Sequence, residues 1–375
     1  MIIYLHDNDK RLDFAPLTLT RPIGNLRMGI LTNDERCKLL LPTAEVLFDS
    51  ADYLIPKFPQ RGKGITVNAC VIPTQEIANA VAQLKPNQLL TIDGNWIARS
   101  GGGDVVVHYE GEAPIVIEQR WELYQKNGAV LEADFQLLTQ GRTSVPISET
   151  NTIIGDRNRI FLEEGAKMEA AILNTTTGPI YLGKNAEIME GSIVRGGLAM
   201  GEESALKLGA KIYGPTTIGP HCKVGGEVNN SIFYAYSNKG HDGFVGNSVI
   251  GEWCNLGADT NTSNLKNNYG TVKTYSYTSQ KLEQTNVQFM GLVMGDHSKT
   301  GINTMLNTAS VVGVASNLFG ADFPEKYVSS FQWGTNGENY EFDKAIESIN
   351  NMMVRRNRSL SEAEISILSY ISDNF

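Results

Sequence analysis

Residues 182–225 read LGKNAEIMEGSIVRGGLAMGEESALKLGAKIYGPTTIGPHCKVG, and an aliphatic side chain recurs at every sixth position of this stretch. The residues that keep this spacing are Leu182, Ile188, Val194, Met200, Leu206, Ile212, Ile218 and Val224. A period of six fits neither an α-helix nor a simple alternating strand, but it fits a short strand followed by a tight turn. Three such units close one triangular coil. The stretch therefore predicts a parallel β-helix of hexapeptide repeats.

The same spacing continues on both sides of this run, after a four-residue slip at residues 175–178 and a two-residue slip before Ile232, which predicts a β-helix over about residues 150–320. The flanking positions expected to point inward are Ile154, Ile160, Ala166, Ile172, Ile232, Asn238, Phe244, Ile250, Leu256, Met294, Thr300, Leu306 and Val312. A polar stretch, residues 263–286, interrupts the pattern. A long loop inserted into a rigid solenoid usually has a function.

The segments outside the repeat predict two further parts. Residues 1–140 contain three strand-like runs (2–7, 65–73 and 113–119) and one amphipathic helix (75–85), which indicate a small α/β domain. Residues 321–375 have helical periodicity over 343–358 and 359–371. Ser361 and Glu364 have the spacing of a capping box at the second helix.

Composition excludes several classes of function. A net charge of −9 argues against a surface that binds nucleic acid. Cys37, Cys70, Cys222 and Cys254 are too widely spaced for a zinc site or a disulfide framework, so we expect free thiols in a cytoplasmic protein. His6, His108, His221 and His297 do not have the spacing of metal ligands either, so no metal site is expected in the β-helix.

Residues 239–264, KGHDGFVGNSVIGEWCNLGADTNTSN, resemble the acetyltransferase half of the bifunctional N-acetylglucosamine-1-phosphate uridylyltransferase and glucosamine-1-phosphate acetyltransferase family. Residues 294–313 continue this similarity, and they look most like the archaeal fusions. Residues 16–32 and 120–128 resemble parts of the nucleotidylyltransferase domain and its junction. As a whole, the chain looks like a compact, alternate version of the bifunctional enzyme.

This resemblance implies a left-handed coil, a homotrimer and active sites between neighbouring β-helices. It also implies N-acetylation of an amino-sugar phosphate by acetyl-CoA, together with nucleotidyl transfer to a sugar 1-phosphate, in the synthesis of UDP-N-acetylglucosamine or a related nucleotide sugar. The first domain would be a reduced nucleotidylyltransferase, because it is short and no glycine-rich phosphate loop follows its first strand.

The family's site residues map onto this chain at particular positions. His241 matches the general base, a role that suits an imidazole because its ordinary pKa lies near 6.5. Asn255 matches a contact to the sugar phosphate, Ala258 a contact to the acetyl-CoA arm, and Asn264 a contact to the reacting amine. Taken by itself, His241 could instead be an ordinary exposed loop histidine, and Asn255 a solvated turn residue.

Other assignments rest on looser matches. Lys273 would contact the substrate phosphate and Lys299 the anionic CoA, although a solvated lysine explains either. Arg21 and Arg27 would hold a nucleoside triphosphate and Asp93 would bind Mg²⁺, whereas surface salt bridges are the alternative.

Two family positions are altered in this chain. Tyr213 stands where the family has a phosphate-binding arginine, and Phe244 stands where it has a tyrosine after the general base. The acceptor sugar or its phosphate contacts are therefore expected to differ.

Two rival functions follow from the same sequence. In one, the first domain transfers a uridylyl or thymidylyl group and the β-helix is only structural. In the other, the β-helix is a non-catalytic trimeric scaffold.

Overall fold

The computed structural model describes residues 1–60 and 62–375. It contains an α/β domain, a long parallel β-helix and two C-terminal helices, in that order along the chain. The fold class expected from the hexapeptide period is therefore confirmed.

The first domain contains one six-stranded mixed sheet and a separate antiparallel pair of short strands, β2 and β3. Its strands are β1 (Ile2–His6), β2 (Arg27–Met28), β3 (Leu31–Thr32), β4 (Glu45–Asp49), β5 (Ile65–Asn68), β6 (Gln88–Ile92), β7 (Asn95–Ser100) and β8 (Val105–His108). Its helices are α1 (Asn33–Leu40), α2 (Gln75–Ala82), α3 (Glu122–Gln125) and α4 (Asn127–Thr139). The main sheet has the order β4-β1-β5-β7-β6-β8, with β1 parallel to both of its neighbours.

Three of the four elements that the sequence predicts in this domain are present. Strands β1 and β5 and helix α2 fall inside the predicted segments, and Thr74 caps α2 by accepting a hydrogen bond from the Ile77 amide at 3.3 Å. The strand predicted over residues 113–119 was wrong. There Val116 forms a single antiparallel bridge with Val71. Pro114, which has no amide hydrogen, limits further pairing.

The solenoid strands are β9 (Thr152–Ile154), β10 (Ile160–Leu162), β11 (Lys167–Met168), β12 (Ile172–Asn174), β13 (Ile180–Leu182), β14 (Glu187–Ile188), β15 (Ile193–Arg195), β16 (Leu198–Met200), β17 (Ala205–Leu206), β18 (Lys211–Tyr213), β19 (Thr216–Ile218), β20 (Lys223–Val224), β21 (Glu227–Asn229), β22 (Ile232–Phe233), β23 (Asn238–Lys239), β24 (Phe244–Gly246), β25 (Val249–Ile250), β26 (Asn255–Leu256) and β27 (Asn261–Thr262). After an inserted hairpin of β28 (Lys273–Ser276) and β29 (Lys281–Gln284), they continue as β30 (Val293–Met294), β31 (Lys299–Thr300), β32 (Met305–Leu306), β33 (Val311–Val312), β34 (Asn317–Leu318), β35 (Tyr327–Val328), β36 (Gln332–Trp333) and β37 (Glu338–Asn339).

These strands stack into three faces. The domain face has the order β10-β13-β16-β19-β22-β25-β30-β33-β35, and the cleft face runs from β11 through β14, β17, β20, β23, β26 and β31 to β34 and β36. The open face has the order β24-β21-β18-β15-β12-β9. Equivalent inward residues lie above one another, as with Leu206 and Val224 on the cleft face.

The eight aliphatic residues of the central run are all buried inside the coil, so the period is confirmed there. The register predicted on either side was wrong at several positions. Ile154 and Ile172 are exposed, and Leu173 is the inward residue next to Ile172. Further on, Phe233, Lys239 and Val245 point inward in place of the predicted Ile232, Asn238 and Phe244, and Ile232 is buried in the core of the first domain instead.

A shortened corner explains this second error. The inward residue after Val224 is Val228, four residues on, and the next is Phe233. Each later inward position is therefore displaced by one residue until Ile250, which lies five residues after Val245 and restores the expected register.

The polar interruption of the repeat is a hairpin rather than an irregular loop. Strands β28 and β29 pair antiparallel, and Thr274 is buried against the first domain. Arg120 of that domain donates to the Thr274 hydroxyl at 3.1 Å and to the Tyr275 carbonyl. The first domain thus fixes the base of the hairpin.

The first domain also covers the domain face. Leu131 and Phe135 of α4 pack on Phe161, Tyr181 and Ala199 of that face. The C-terminal helices α5 (Phe342–Val354) and α6 (Glu362–Asn374) confirm the helical prediction, and the Ser361–Glu364 capping box is present. All four cysteines are buried free thiols. Within residues 1–60 and 62–375, no helix has the length and apolarity needed to cross a lipid bilayer.

Candidate functional site

A cleft of about 630 Å³ lies on the cleft face of the β-helix, where the end of α5 approaches it. Its lining residues include His241, Asn255 and Ala258, three of the residues that the sequence singled out. They come from successive coils, because Asn238 lies beside Asn255 in the strand register. The arrangement of the coil therefore brings these three residues into one cavity.

His241 is exposed at the corner that follows β23, so its imidazole is free to meet a ligand in the cleft. The corner is fastened from inside the coil by Lys239. The Lys239 Nζ donates to the carbonyl oxygens of His241 and Asp242, both at 2.8 Å. Burial lowers the pKa of Lys239 to about 8, while Asp242 and Asp259 oppose this shift. Sequence reasoning missed Lys239, because lysine is not an expected core residue.

Lys239→Met is expected to lower acetyl transfer about tenfold without lowering the thermal midpoint at pH 7. Methionine has nearly the volume of lysine and removes a buried charge, so stability should not fall. The substitution also frees the corner that orients His241, and small misplacements of a catalytic group lower the rate strongly. Initial rates and differential scanning calorimetry test this. A normal rate, or a loss of rate explained by a fallen midpoint, would count against a positioning role.

Asn238 supplies a second polar group to the cleft. Its side-chain oxygen is buried and has no hydrogen-bond partner within the part of the chain that the structure describes. Because a buried unpaired acceptor is costly, a ligand that donates a hydrogen bond would be stabilised here. A sugar hydroxyl or an amine has this property.

Four cations line the same cleft: Lys207, Lys223, Arg355 and Arg356. The two arginines stand just after the last residue of α5, more than a hundred positions from His241. The sequence pattern predicts only a helix for this segment. The basic run at residues 355–358 was the signal that could have drawn attention to them.

The other residues predicted for the acyl transfer lie outside this cleft's lining. The Asn264 amide donates to the Asn247 side chain at 2.8 Å, close to Phe244 on the open-face side. Lys273 is exposed on β28. Lys299 is beside Asn255 in the strand register, and its Nζ donates to the His297 carbonyl at 3.3 Å.

The three residues predicted to serve a nucleotide lie in different places. Arg21 is buried between the first domain and the β-helix, where it pairs with Asp296 and with Glu252, the latter at 3.1 Å. Arg27 donates to the Ile30 carbonyl at 2.7 Å. Asp93 is exposed on the turn between β6 and β7. Their roles toward a nucleotide stay predictions.

A cavity of about 400 Å³ opens at the carboxyl ends of β1 and β5. Asn8 and Lys10 line it, and Asn8 and Asp9 have the positive φ angles of 52° and 56° that a phosphate loop more often gives to glycine. The Trp96 indole donates to the Asn8 side chain at 2.9 Å and holds this turn. Ligands of open α/β sheets bind at such an edge.

The residues around this cavity do not by themselves form a magnesium site. Asp93 is a single exposed carboxylate, and nowhere in residues 1–60 or 62–375 do three or more His, Cys, Asp or Glu side chains gather as metal ligands. Mg²⁺ takes six oxygen ligands, several of them from water or substrate phosphate.

His297, which lies beside the Arg21 ion pairs, makes the stability of the folded protein depend on pH. Burial lowers its pKa to about 4, against the opposing charge of Asp296. An unfolded histidine titrates near 6.5, so the folded state loses stability as the pH falls from 6.5 toward 4.

His297→Gln should therefore reduce the fall in stability between pH 7.5 and 5.5 by about 1 kcal/mol, because glutamine has no proton to exclude. Urea midpoints at the two pH values measure this change. The exposed His108→Gln is the control and should retain the wild-type slope; identical slopes for both variants would contradict the assignment.

Comparison with known proteins relates the first domain to a family of transferases. Residues 3–143 match a family model described as sugar nucleotidyl transferase. The chain therefore combines a segment of sugar-nucleotidyl-transferase type with a hexapeptide-repeat β-helix, and both are features of transferases.

The curated relatives agree with the resemblance found in the sequence. Bifunctional protein GlmU of Methanocaldococcus jannaschii is 38% identical over 87 residues, which are 23% of this chain and 21% of the relative. The protein of the same name from Synechococcus sp. strain CC9311 is 31% identical over 147 residues, 37% of this chain and 28% of the relative. That from Synechococcus elongatus is 28% identical over 199 residues, 49% and 39% of the two chains.

The matches span between about a fifth and two fifths of the length of these relatives. The resemblance to the bifunctional family is confirmed over those segments. A solved structure, the polysialic acid-specific acetyltransferase NeuO, is 13% identical over 56% of this chain and 94% of that chain, with a TM-score of 0.27. So low a score supports no conclusion about fold or substrate.

Proposed function

We propose that the protein is an acetyl-CoA-dependent N-acetyltransferase whose acceptor is an amino-sugar phosphate such as glucosamine 1-phosphate. The observation that supports this most directly is the meeting of His241, Asn255 and Ala258 in one cleft with four cations. An anionic acceptor needs the cations, and an amine nucleophile needs a base.

In the proposed reaction, the neutral amine attacks the thioester carbonyl of acetyl-CoA. A nitrogen–carbon bond forms, and His241 takes the proton that the nitrogen releases. Collapse of the tetrahedral intermediate breaks the carbon–sulfur bond, and the proton passes to the CoA thiolate. The products are the N-acetylated sugar phosphate and CoA, and no covalent intermediate with the enzyme is required.

In this scheme Asn264, Lys273 and Lys299 keep the substrate and CoA contacts that the resemblance implies. We propose a homotrimer in which the open face of one β-helix meets its neighbour. Exposed Ile172 and Ile193, adjacent in the strand register of that face, offer an apolar contact. Light scattering after size-exclusion chromatography measures the oligomeric state.

We also propose that the first domain transfers a nucleotidyl group to a sugar 1-phosphate. The family-model match over residues 3–143 and the cavity beside Asn8 and Lys10 favour this second activity. Together the two reactions would lead from an amino-sugar phosphate to UDP-N-acetylglucosamine or a related nucleotide sugar.

Two assays on the wild-type protein test these proposals. Release of CoA thiol from acetyl-CoA, with glucosamine 1-phosphate or galactosamine 1-phosphate and without a sugar, tests acetyl transfer. Release of pyrophosphate from UTP or dTTP in the presence of N-acetylglucosamine 1-phosphate and Mg²⁺ tests nucleotidyl transfer. Pyrophosphate without CoA release would favour a structural β-helix. A trimer inactive in both assays would favour a scaffold.

A further inference from the structure

The cation wall of the cleft, formed by Lys207, Lys223, Arg355 and Arg356, has no carboxylate partner among the described residues. None of the four side chains forms an ion pair there, and no aspartate or glutamate of the described chain lines the cleft. The chain as a whole has 41 acidic and 32 basic residues. In a chain with this excess of acidic residues, four adjacent cations without a counter-ion are unusual.

The four charges are close enough to affect one another. Arg356 lowers the pKa of Lys223, and burial, Lys207 and Arg355 add to the shift. Mutual repulsion of this kind destabilises the empty cleft. A bound anion would relieve it.

Helix α5 holds the two arginines in place. Ala345, Ile349 and Met353 form its buried stripe against the core, and the turn after it is closed by the Arg356 amide, which donates to the Met353 carbonyl at 2.8 Å. The backbone that carries both guanidinium groups is thus ordered before a ligand arrives. Cations are often found at the C-terminal end of a helix because they interact favourably with its dipole. This preference does not explain why the two arginines lie beside two lysines of the β-helix.

The position that the resemblance gives to a phosphate-binding arginine cannot serve here. Tyr213 occupies it, and its hydroxyl donates to a carboxylate oxygen of Glu227 at 2.6 Å. A carboxylate at this position repels a phosphate. The phosphate contact of the acceptor has to come from elsewhere in the chain.

We propose that Arg355 and Arg356, assisted by Lys207 and Lys223, bind the phosphate of the acceptor sugar and so select phosphorylated amino sugars. This inference rests on the proposed acetyl transfer. In a hexosamine 1-phosphate, the phosphate and the amine are on adjacent carbons. A phosphate held in the cleft that His241 lines therefore brings the amine toward the base.

The test compares the double variant Arg355→Gln/Arg356→Gln with the wild type. Arg358→Gln is the matched control, because Arg358 belongs to the same basic run but does not line the cleft. We expect the double variant to raise the KM for glucosamine 1-phosphate about tenfold to a hundredfold, the size of a lost charge-assisted hydrogen bond. The KM for acetyl-CoA and the slow rate with unphosphorylated glucosamine should stay within about twofold, because neither measurement involves the lost contact.

Calorimetric titration of glucosamine 1-phosphate without acetyl-CoA gives a readout that does not depend on turnover. The wild type and Arg358→Gln should bind equally, and the double variant at least tenfold more weakly. A wild type that binds the sugar phosphate but releases no CoA would refute the acetyl transfer and leave the phosphate site standing. An unchanged affinity in the double variant, no binding by the wild type, or a rise in the KM for acetyl-CoA alone would overturn the inference.

Discussion

Replacing His241 by alanine is expected to lower acetyl transfer to an amino-sugar phosphate by about a hundredfold to ten-thousandfold, the usual contribution of a general base. The histidine lies exposed at a corner of the coil and its ring fills no core. Loss of the imidazole should therefore change stability by less than about 0.5 kcal/mol.

The measurement is the rate of CoA thiol release at saturating substrates, together with the oligomeric state of the variant. His108→Ala, which removes an exposed histidine from β8 in the first domain, is the matched control and should keep full activity. A His241→Ala protein that acetylates at the wild-type rate would eliminate His241 as the base. Pyrophosphate release by the first domain should be unaffected in either variant.

Replacing Arg21 by methionine is expected to destabilise the protein by about 3–5 kcal/mol, because it leaves a buried carboxylate uncompensated. Asp296 is as deeply buried as Arg21 and accepts from both Arg21 and the Thr20 hydroxyl, the latter at 2.7 Å. Although burial alone would raise the pKa of Glu252, the Arg21 guanidinium lowers it to about 2. Glu252 is thus charged at neutral pH, and Arg21 is the cation that pairs with both carboxylates.

Urea denaturation followed by tryptophan fluorescence measures this effect, since Trp253 is next to Glu252 in the chain. Arg159→Met is the control: Arg159 pairs with Glu132 at 2.5 Å on the surface, and such pairs contribute at most about 1 kcal/mol. An unchanged midpoint for Arg21→Met, combined with weaker binding of UTP or dTTP, would instead support the nucleotide role that the sequence suggested.

The repeat is the part of the fold that could be predicted most reliably from the sequence. From Leu182 to Val224 the period alone identified the eight large inward residues, because aliphatic side chains at this spacing must fill the narrow core. Beyond Val224 the same rule failed. The length of one corner is set by backbone packing, and no residue type in the sequence indicates it. The inward Lys239 was missed for a related reason: its buried ammonium is satisfied by carbonyl groups, which are invisible in a sequence.

The candidate site divides in the same way. His241, Asn255 and Ala258 lie within one continuous stretch, so a local pattern was enough to group them. Arg355 and Arg356 reach the cleft only because α5 folds back over the β-helix. Arg21 finds its acidic partner 275 residues away, and that pairing depends on how the first domain docks.

The covering of the solenoid also limits how it can associate. On the domain face almost every strand residue is buried within the chain itself, and part of the cleft face lies near α5. The open face keeps its outward residues accessible, with Ile172 40% and Ile193 48% exposed. A second copy that packs along the coil would find its least covered surface on this face. The docked first domain therefore restricts which side of the β-helix a neighbour could approach.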